Sequence, residues 1–251
     1  SRKSSEGFIK CDLSSKNDVL NLIESFKITK IINLASFVPK NKDQYHSEEN
    51  KINDLITSNI VKFFNCKLIH ISTLAIYEHT NSLIIDESTN IKEIFSKYSQ
   101  SKYNSENIII NNYSHPYLIL RIPGIFGGDR RSGLIYNAIK NNLLGKKIKV
   151  EFILKNWSSM YIDDFLEILN QSNNIQLKDS KIINVNYEKQ FSIYEILNII
   201  SKSIIKKETY SKKDKNIVKF KTNNFLKFFD YPKNTLEQSL LKYIEKLKNV
   251  K

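Results

Sequence analysis

Hydrophobic and polar positions along this chain switch between two periods, and the switching predicts a sheet interleaved with helices. Val19, Leu20, Leu22, Ile23 and Phe26 recur at the spacing of an amphipathic helix. Lys30-Ile31-Ile32-Asn33-Leu34-Ala35-Ser36 is nearly continuous in apolar character, the pattern of a strand buried on both faces. Leu68-Ile69-His70-Ile71 is a second such strand, running into the hydroxyls of Ser72 and Thr73. Tyr98, Tyr103, Ile108, Ile109 and Tyr113 return to helical spacing, and Tyr117 to Gly127 reads as a further strand ending in a Gly-rich turn. Strand and helix in this alternation argue for a parallel α/β sheet. Ahead of them, Phe8 to Leu13 predicts a short strand ending at Asp12, with Asp12 placed to cap the next helix.

The second half is patterned less regularly. Leu134 to Leu144 predicts a helix with Gly145 as its stop. Asp164 is placed to cap a helix from Phe165 to Leu169, and Lys181 to Val185 reads as a strand. Ser192 and Glu195 form a capping box ahead of a helix from Ile193 to Ile205. A last helix follows Pro232, from Leu236 to Leu247. No repeat, coiled coil or low-complexity segment interrupts the order.

Composition narrows the function. A chain of 251 residues, 41% hydrophobic and 26% charged, can bury a full core as one α/β domain with a small appended lobe. No run of 18 apolar residues exists, and Ser1 to Gly7 lacks the apolar stretch of a signal peptide, so a cytoplasmic protein with no membrane partner is expected. Cys11 and Cys66 have no metal or redox spacing, and the four histidines make no ligand pair, so no catalytic metal is expected. The net charge of +13 is spread along the chain rather than gathered in one stripe. That argues against a nucleic-acid partner and suits acidic small substrates.

The chemistry centres on Tyr98 and Lys102, four residues apart and so on one face of a helix. A free phenol titrates near 10, and only about one in a thousand is ionised at neutral pH. A neighbouring ammonium favours the phenolate, which makes Tyr98 a candidate general acid/base. Tyr-x-x-x-Lys arises by chance in a chain with 13 Tyr, so the flanking elements carry the assignment. They are the strand Leu68 to Tyr77 with its hydroxyls, the strand and Gly-rich turn from Tyr117 to Gly127, and Tyr161-Ile162-Asp163-Asp164-Phe165. In this order and at these spacings the chain resembles the extended short-chain dehydrogenase/reductase family, of the NAD-dependent epimerase/dehydratase type.

The resemblance implies a Rossmann-like, doubly wound parallel sheet with a small C-terminal substrate-binding lobe. Residues 1–123 would form the cofactor and catalytic core and 124–251 mainly the lobe, with 156–186 returning to the core. Aligned on Tyr77, it makes Thr73, Tyr98 and Lys102 the catalytic triad. It sets Asp12 near the adenine, Leu34, Ala35, Ser36 and Ile122 against the cofactor, and Lys102 on the nicotinamide ribose. Arg2 would sit where an arginine accommodates a 2′-phosphate, pointing to NADP rather than NAD. Thr73 would also face the substrate. Gly124 stands where the family often has an Asn that touches the substrate's diphosphate. Arg130 and Arg131 would clamp a phosphate, or else stay solvated. None of the six glycines makes the Gly-rich turn that opens a dinucleotide fold. The expectation is that about 30 residues are absent before Ser1: the first strand, that turn, the first helix and the second strand.

The function so implied is hydride transfer at a carbon of a nucleotide sugar, by an NAD(P)-dependent epimerase or reductase. Leu74 and Ala75 stand where a dehydratase of the family carries a carboxylate, which disfavours dehydration. Reduction of a non-nucleotide carbonyl is the alternative that Gly124 supports. A non-catalytic NAD(P)-binding regulator on the same fold is a third, opposed by the presence of both Tyr98 and Lys102. A homodimer stays open.

Overall fold

The structure is a computed structural model that describes residues 7–91, 93–146, 157–207 and 218–249. In chain order the first half contains α1 (Lys16–Ser25), β1 (Lys30–Asn33), α2 (Lys42–Tyr45), α3 (Ile52–Phe63), β2 (Lys67–Thr73), β3 (Ile84–Ile85) and α4 (Lys97–Asn112). Then come β4 (Tyr117–Ile122), β5 (Gly124–Phe126), α5 (Leu134–Leu143), β6 (Ser159–Tyr161) and α6 (Ile162–Asn174). The chain closes with β7 (Lys181–Asn184), α7 (Ile193–Ile205), β8 (Lys219–Phe220) and α8 (Leu236–Lys248). The main sheet has the order β1-β2-β4-β7. β1 and β2 are parallel, with Lys30 beside Lys67 and Asn33 beside His70. β2 and β4 begin side by side, Leu68 N–H donating to the Pro116 carbonyl at 3.2 Å. The alternation of helix and strand in the sequence is thus a parallel, Rossmann-like α/β sheet.

Two compact units divide the chain. The first comprises Ser1–Ile76, Glu93–Leu120 and Gln176–Ile182. Its core joins Val19 of α1, Ile56 and Ile60 of α3, Leu68 of β2, Ile109 of α4 and Ile119 of β4. Helix α4 starts at Ser96, whose hydroxyl accepts from Ser99 N–H at 3.1 Å. Its far end is tied to β2, because the Tyr113 phenol donates to the Cys66 carbonyl at 2.6 Å. Burial pushes that phenol up to about 12.

The second unit comprises Tyr77–Lys92, Arg121–Ile175 and Ile183–Lys251. It holds the parallel pairs β5–β6 and β3–β8 and helices α5 to α8. The Ser192–Glu195 capping box forms as the sequence predicts, and Thr235 with Gln238 makes a second at the start of α8. Aromatic rings fill the centre: Phe126, Tyr161 and Tyr243 lie within 6.0 Å of one another, centroid to centroid.

Four local expectations are corrected. Phe8 to Leu13 is not a strand; only Phe8 makes a bridge, and the Phe8 and Ile9 side chains are exposed. Ser15, not Asp12, caps α1, while the Asp12 carboxylate accepts from the Ser14 N–H and hydroxyl. Asp164 lies in the first turn of α6 without capping it. Its carboxylate is fully buried and accepts from the Tyr187 phenol, from Ser239 Oγ at 2.5 Å and from Asn234 Nδ2 at 3.4 Å. Donors from elsewhere in the unit therefore take the oxygens that a cap would offer to its own helix. The strand expected from Tyr117 to Gly127 breaks at Pro123, which has no N–H to continue a ladder. Gly124 N–H then donates to the Ser158 carbonyl at 3.0 Å and carries the chain onto β6.

Candidate active site

Side chains alternate between faces along β2, and this sorts its two terminal hydroxyls. Ser72 points inward, buried, and donates to the Glu106 carboxylate of α4. Thr73, on the other face, is half-buried, and its Oγ1 accepts from Ala75 N–H at 3.1 Å as the chain turns into the 3-10 turn Leu74–Tyr77. Tyr98 and Lys102 stand one turn apart near the start of α4. The Tyr98 ring is half-buried and meets Tyr45 edge-on, centroids 5.7 Å apart. Lys102 is only 4% exposed, and its Nζ donates to the Ile71 carbonyl at 2.6 Å. The ammonium therefore sits at the carboxyl end of β2, two residues before Thr73. Burial pushes it down to about 8, and the Glu106 carboxylate opposes the fall.

The ring behind it is neutral. Asn33 Oδ1 accepts from Ala35 N–H, so Asn33 Nδ2 faces His70 and donates to Nδ1 at 3.0 Å. The His70 proton is therefore assigned to Nε2. Burial, and then the Lys102 ammonium, hold His70 well below its ordinary range.

Leu34 and Ala35 are exposed at the carboxyl end of β1, where ligands bind in parallel α/β sheets. Ser36 donates to Asn53 Oδ1 at 3.1 Å, and Asn53 Nδ2 donates to Ser101 Oγ at 3.0 Å. Asn53 thus ties the loop after β1 to α4. The donor set suits part of a dinucleotide: an ammonium with protons beyond the one given to Ile71 matches vicinal ribose hydroxyls, beside an open loop. Arg2 lies outside the described residues.

The remaining candidates belong to the second unit. Ile122 ends β4 half-buried, following the buried Arg121, whose Nη1 donates to the Tyr77 hydroxyl. Gly124 is exposed, and a Cβ added there would stand 3.9 Å from the indole Nε1 of Trp157. The Arg130 guanidinium folds back onto its own loop, Nη1 donating to the Ile125 carbonyl at 3.2 Å, while Arg131 is exposed. Among the described residues no group of three His, Cys, Asp or Glu could hold a metal ion. Nor is any of their helices long and apolar enough to cross a membrane.

The family model described as NAD dependent epimerase/dehydratase family matches residues 1–184. The chain belongs to that family. No curated protein gives a match. Solved structures similar to this epimerase/dehydratase-family chain include the Bordetella bronchiseptica enzyme WbmG in complex with NAD and UDP. That likeness has 18% identity and a TM-score of 0.75, covering 95% of this chain and 80% of that one. Another is the UDP-glucuronic acid 4-epimerase of Bacillus cereus in complex with NAD, with 22% identity, a TM-score of 0.73 and 96% and 81% coverage. The UDP-N-acetylglucosamine 4-epimerase of the same organism gives 16% identity, a TM-score of 0.73 and 99% and 88% coverage. At these identities the likeness shows the fold alone.

Sequence reasoning missed the groups beneath the candidate triad of this family member. Glu106, Ser72 and Asn53 are buried polar residues bonded to the segments that carry Thr73, Tyr98 and Lys102, and buried His70 of β2 is bonded to Asn33 of β1. One signal for Glu106 was present: a carboxylate one helical turn after Lys102.

Proposed function

We propose that this protein is an NAD-dependent enzyme that moves a hydride at a carbon of a nucleotide sugar, as an epimerase or a reductase. Tyr98 is the general acid/base, Lys102 the ammonium that supports it, and Thr73 the hydroxyl that orients the reacting oxygen. The observation that carries the reading is the Lys102 ammonium bonded to the Ile71 carbonyl, one helical turn from Tyr98 and two residues before Thr73. Bound NAD supplies the hydride chemistry. The chain supplies the proton chemistry: Tyr98 takes the hydroxyl proton of the substrate as the carbon is oxidised and returns it on reduction. A cation one turn away stabilises the phenolate formed in between. Thr73 accepts from Ala75 N–H, which leaves its own proton for the substrate oxygen.

NAD is favoured over NADP because the solved relatives carry NAD, whereas the argument for NADP rests on Arg2 alone. A uridine diphosphate sugar is the favoured substrate, from UDP in the WbmG complex and the sugars named for the other two. Gly124 favours a second reading, a carbonyl substrate with no diphosphate, since it offers no side-chain donor. Interconversion of UDP-sugars by the full-length protein with NAD, followed by chromatography, tests the first. Tyr98→Phe is expected to lower turnover by about 100-fold or more, with little change in dinucleotide affinity. Near-normal turnover in Tyr98→Phe would remove Tyr98 from the mechanism.

A further inference from the structure

The buried side of α4 is polar. Ser99, Ser101, Lys102, Ser105 and Glu106 are all buried, with Ile109 the lone apolar residue among them. Serines on such a face satisfy themselves locally, as Ser101 does on the Tyr98 carbonyl at 2.9 Å. An ammonium and a carboxylate do not belong in a helix–sheet contact without a reason, because burying either is expensive. Lys102 and Glu106 stand one turn apart, both closed to solvent, and each is bonded to the end of β2: Lys102 to the Ile71 carbonyl, Glu106 to the Ser72 hydroxyl. The two bonds go to consecutive residues of the strand that then delivers Thr73.

We propose that Glu106, held by the Ser72 hydroxyl, is a positioning residue for the reaction: it keeps Lys102 an ammonium and keeps it at the carboxyl end of β2. The inference rests on the reading of Tyr98 and Lys102 as the proton-handling pair. Burial alone drives Lys102 toward the neutral amine, and Glu106 is the carboxylate that works against it. Ionisable groups on the other elements packed against α4 do not replace it. His70 of β2 is neutral and its interaction with Lys102 disfavours a second charge. Asp54 of α3 accepts from Asn104, Glu48 binds Lys51 and Lys97, and Tyr45 of α2 lies against the Tyr98 ring. A neutral amine at 102 could still donate to Ile71 but would no longer favour the Tyr98 phenolate.

Glu106→Gln removes the charge and keeps the shape and the acceptor for Ser72. The test is the titration of Lys102 itself, followed by NMR in protein carrying 13C at the lysine ε-carbons, with the Lys102 signal assigned by its loss in Lys102→Met. In Glu106→Gln the midpoint is expected to fall by about one pH unit or more, and the alkaline limb of the pH–kcat profile to move to lower pH with it. Glu106→Asp is expected to restore most of the midpoint, and Ser72→Ala to lower it by less than Glu106→Gln does. An unchanged Lys102 midpoint in both Glu106→Gln and Ser72→Ala overturns the proposal, whatever happens to turnover. Should Tyr98→Phe retain normal turnover, the catalytic reading fails on its own, and the Lys102 titration still decides whether Glu106 fixes the ammonium.

Discussion

Gly127→Ala tests how firmly the loop that carries Arg130 and Arg131 is anchored. Gly127 is buried at the end of β5 with φ +100°, a backbone conformation that side chains with a Cβ rarely adopt. A Cβ there would lie 2.6 Å from Cδ2 of Tyr161 and closer still to Cε2. The Tyr161 ring has little room to yield, since it is 3% exposed and packed between Phe126 and Tyr243. Backbone strain of about 1–3 kcal/mol and overpacking of about 1–3 kcal/mol give an expected loss of about 2–6 kcal/mol. Gly145→Ala is the control: its φ is also positive, +68°, but nothing lies within 4 Å of the added carbon. Strain of about 1–2 kcal/mol, offset by reduced freedom of the unfolded chain, leaves about 1 kcal/mol. Urea unfolding followed by the fluorescence of Trp157, the chain's one tryptophan and a member of the same unit, measures both. Trimming Tyr161 to Leu in the Gly127→Ala background should recover the steric share and leave the strain. A Gly127→Ala protein no less stable than Gly145→Ala would refute the reasoning.

Asp164→Ala strips the acceptor from the Tyr187 phenol and the Ser239 hydroxyl, two buried donors. At about 1–3 kcal/mol for each donor left unsatisfied, a loss of about 2–6 kcal/mol is expected on chemical unfolding; a loss under about 1 kcal/mol would mean that the network relaxes. Lys102 sets a pH dependence. Its folded-state value is depressed from 10.5 to about 8, so the stability it contributes is present above 10.5 and is lost as pH falls toward 8. At 1.36 kcal/mol per pH unit, wild type should gain about 3 kcal/mol on Lys102→Met between pH 8 and 10.5. A difference that stays flat across that window would show that the lysine titrates normally.

Strands and helices were legible wherever burial is apolar. The run from Leu68 declares itself because most of it is buried, the run from Lys30 pairs with it although Ile31 and Ile32 are only half-buried, and the Ser192–Glu195 box announces α7 through two side chains alone. Failures came where a polar group is satisfied from a distance. Asp164 reads as a cap, but its partners Tyr187, Asn234 and Ser239 are 23, 70 and 75 residues away. Phe8 and Ile9 read as a strand because they are apolar, yet their side chains are exposed, and apolar character alone does not make a strand. Tyr98 and Lys102 were legible as a pair by their spacing. That Lys102 is buried was not, since nothing local distinguishes a solvated lysine from one enclosed by Ile71 and Glu106.

Of the residues whose spacing predicts α4, only Ile109 and Tyr113 are buried, while Tyr98, Tyr103 and Ile108 are half-buried. The helix is seated on serines, a lysine and a glutamate, a surface that periodicity assigns to water. Such a face gains little from apolar burial, so its stability rests on each polar group finding a partner. Replacing the Lys102–Glu106 pair by apolar residues of similar volume would remove two desolvation penalties, and buried pairs so replaced often leave a protein as stable or more so. The pair is therefore poorly explained by stability. It is well explained if an ammonium must be held beside Tyr98 at neutral pH. In that case the same burial that depresses Lys102 also strengthens its field toward the half-buried phenol one turn away, because water is kept from the ammonium itself.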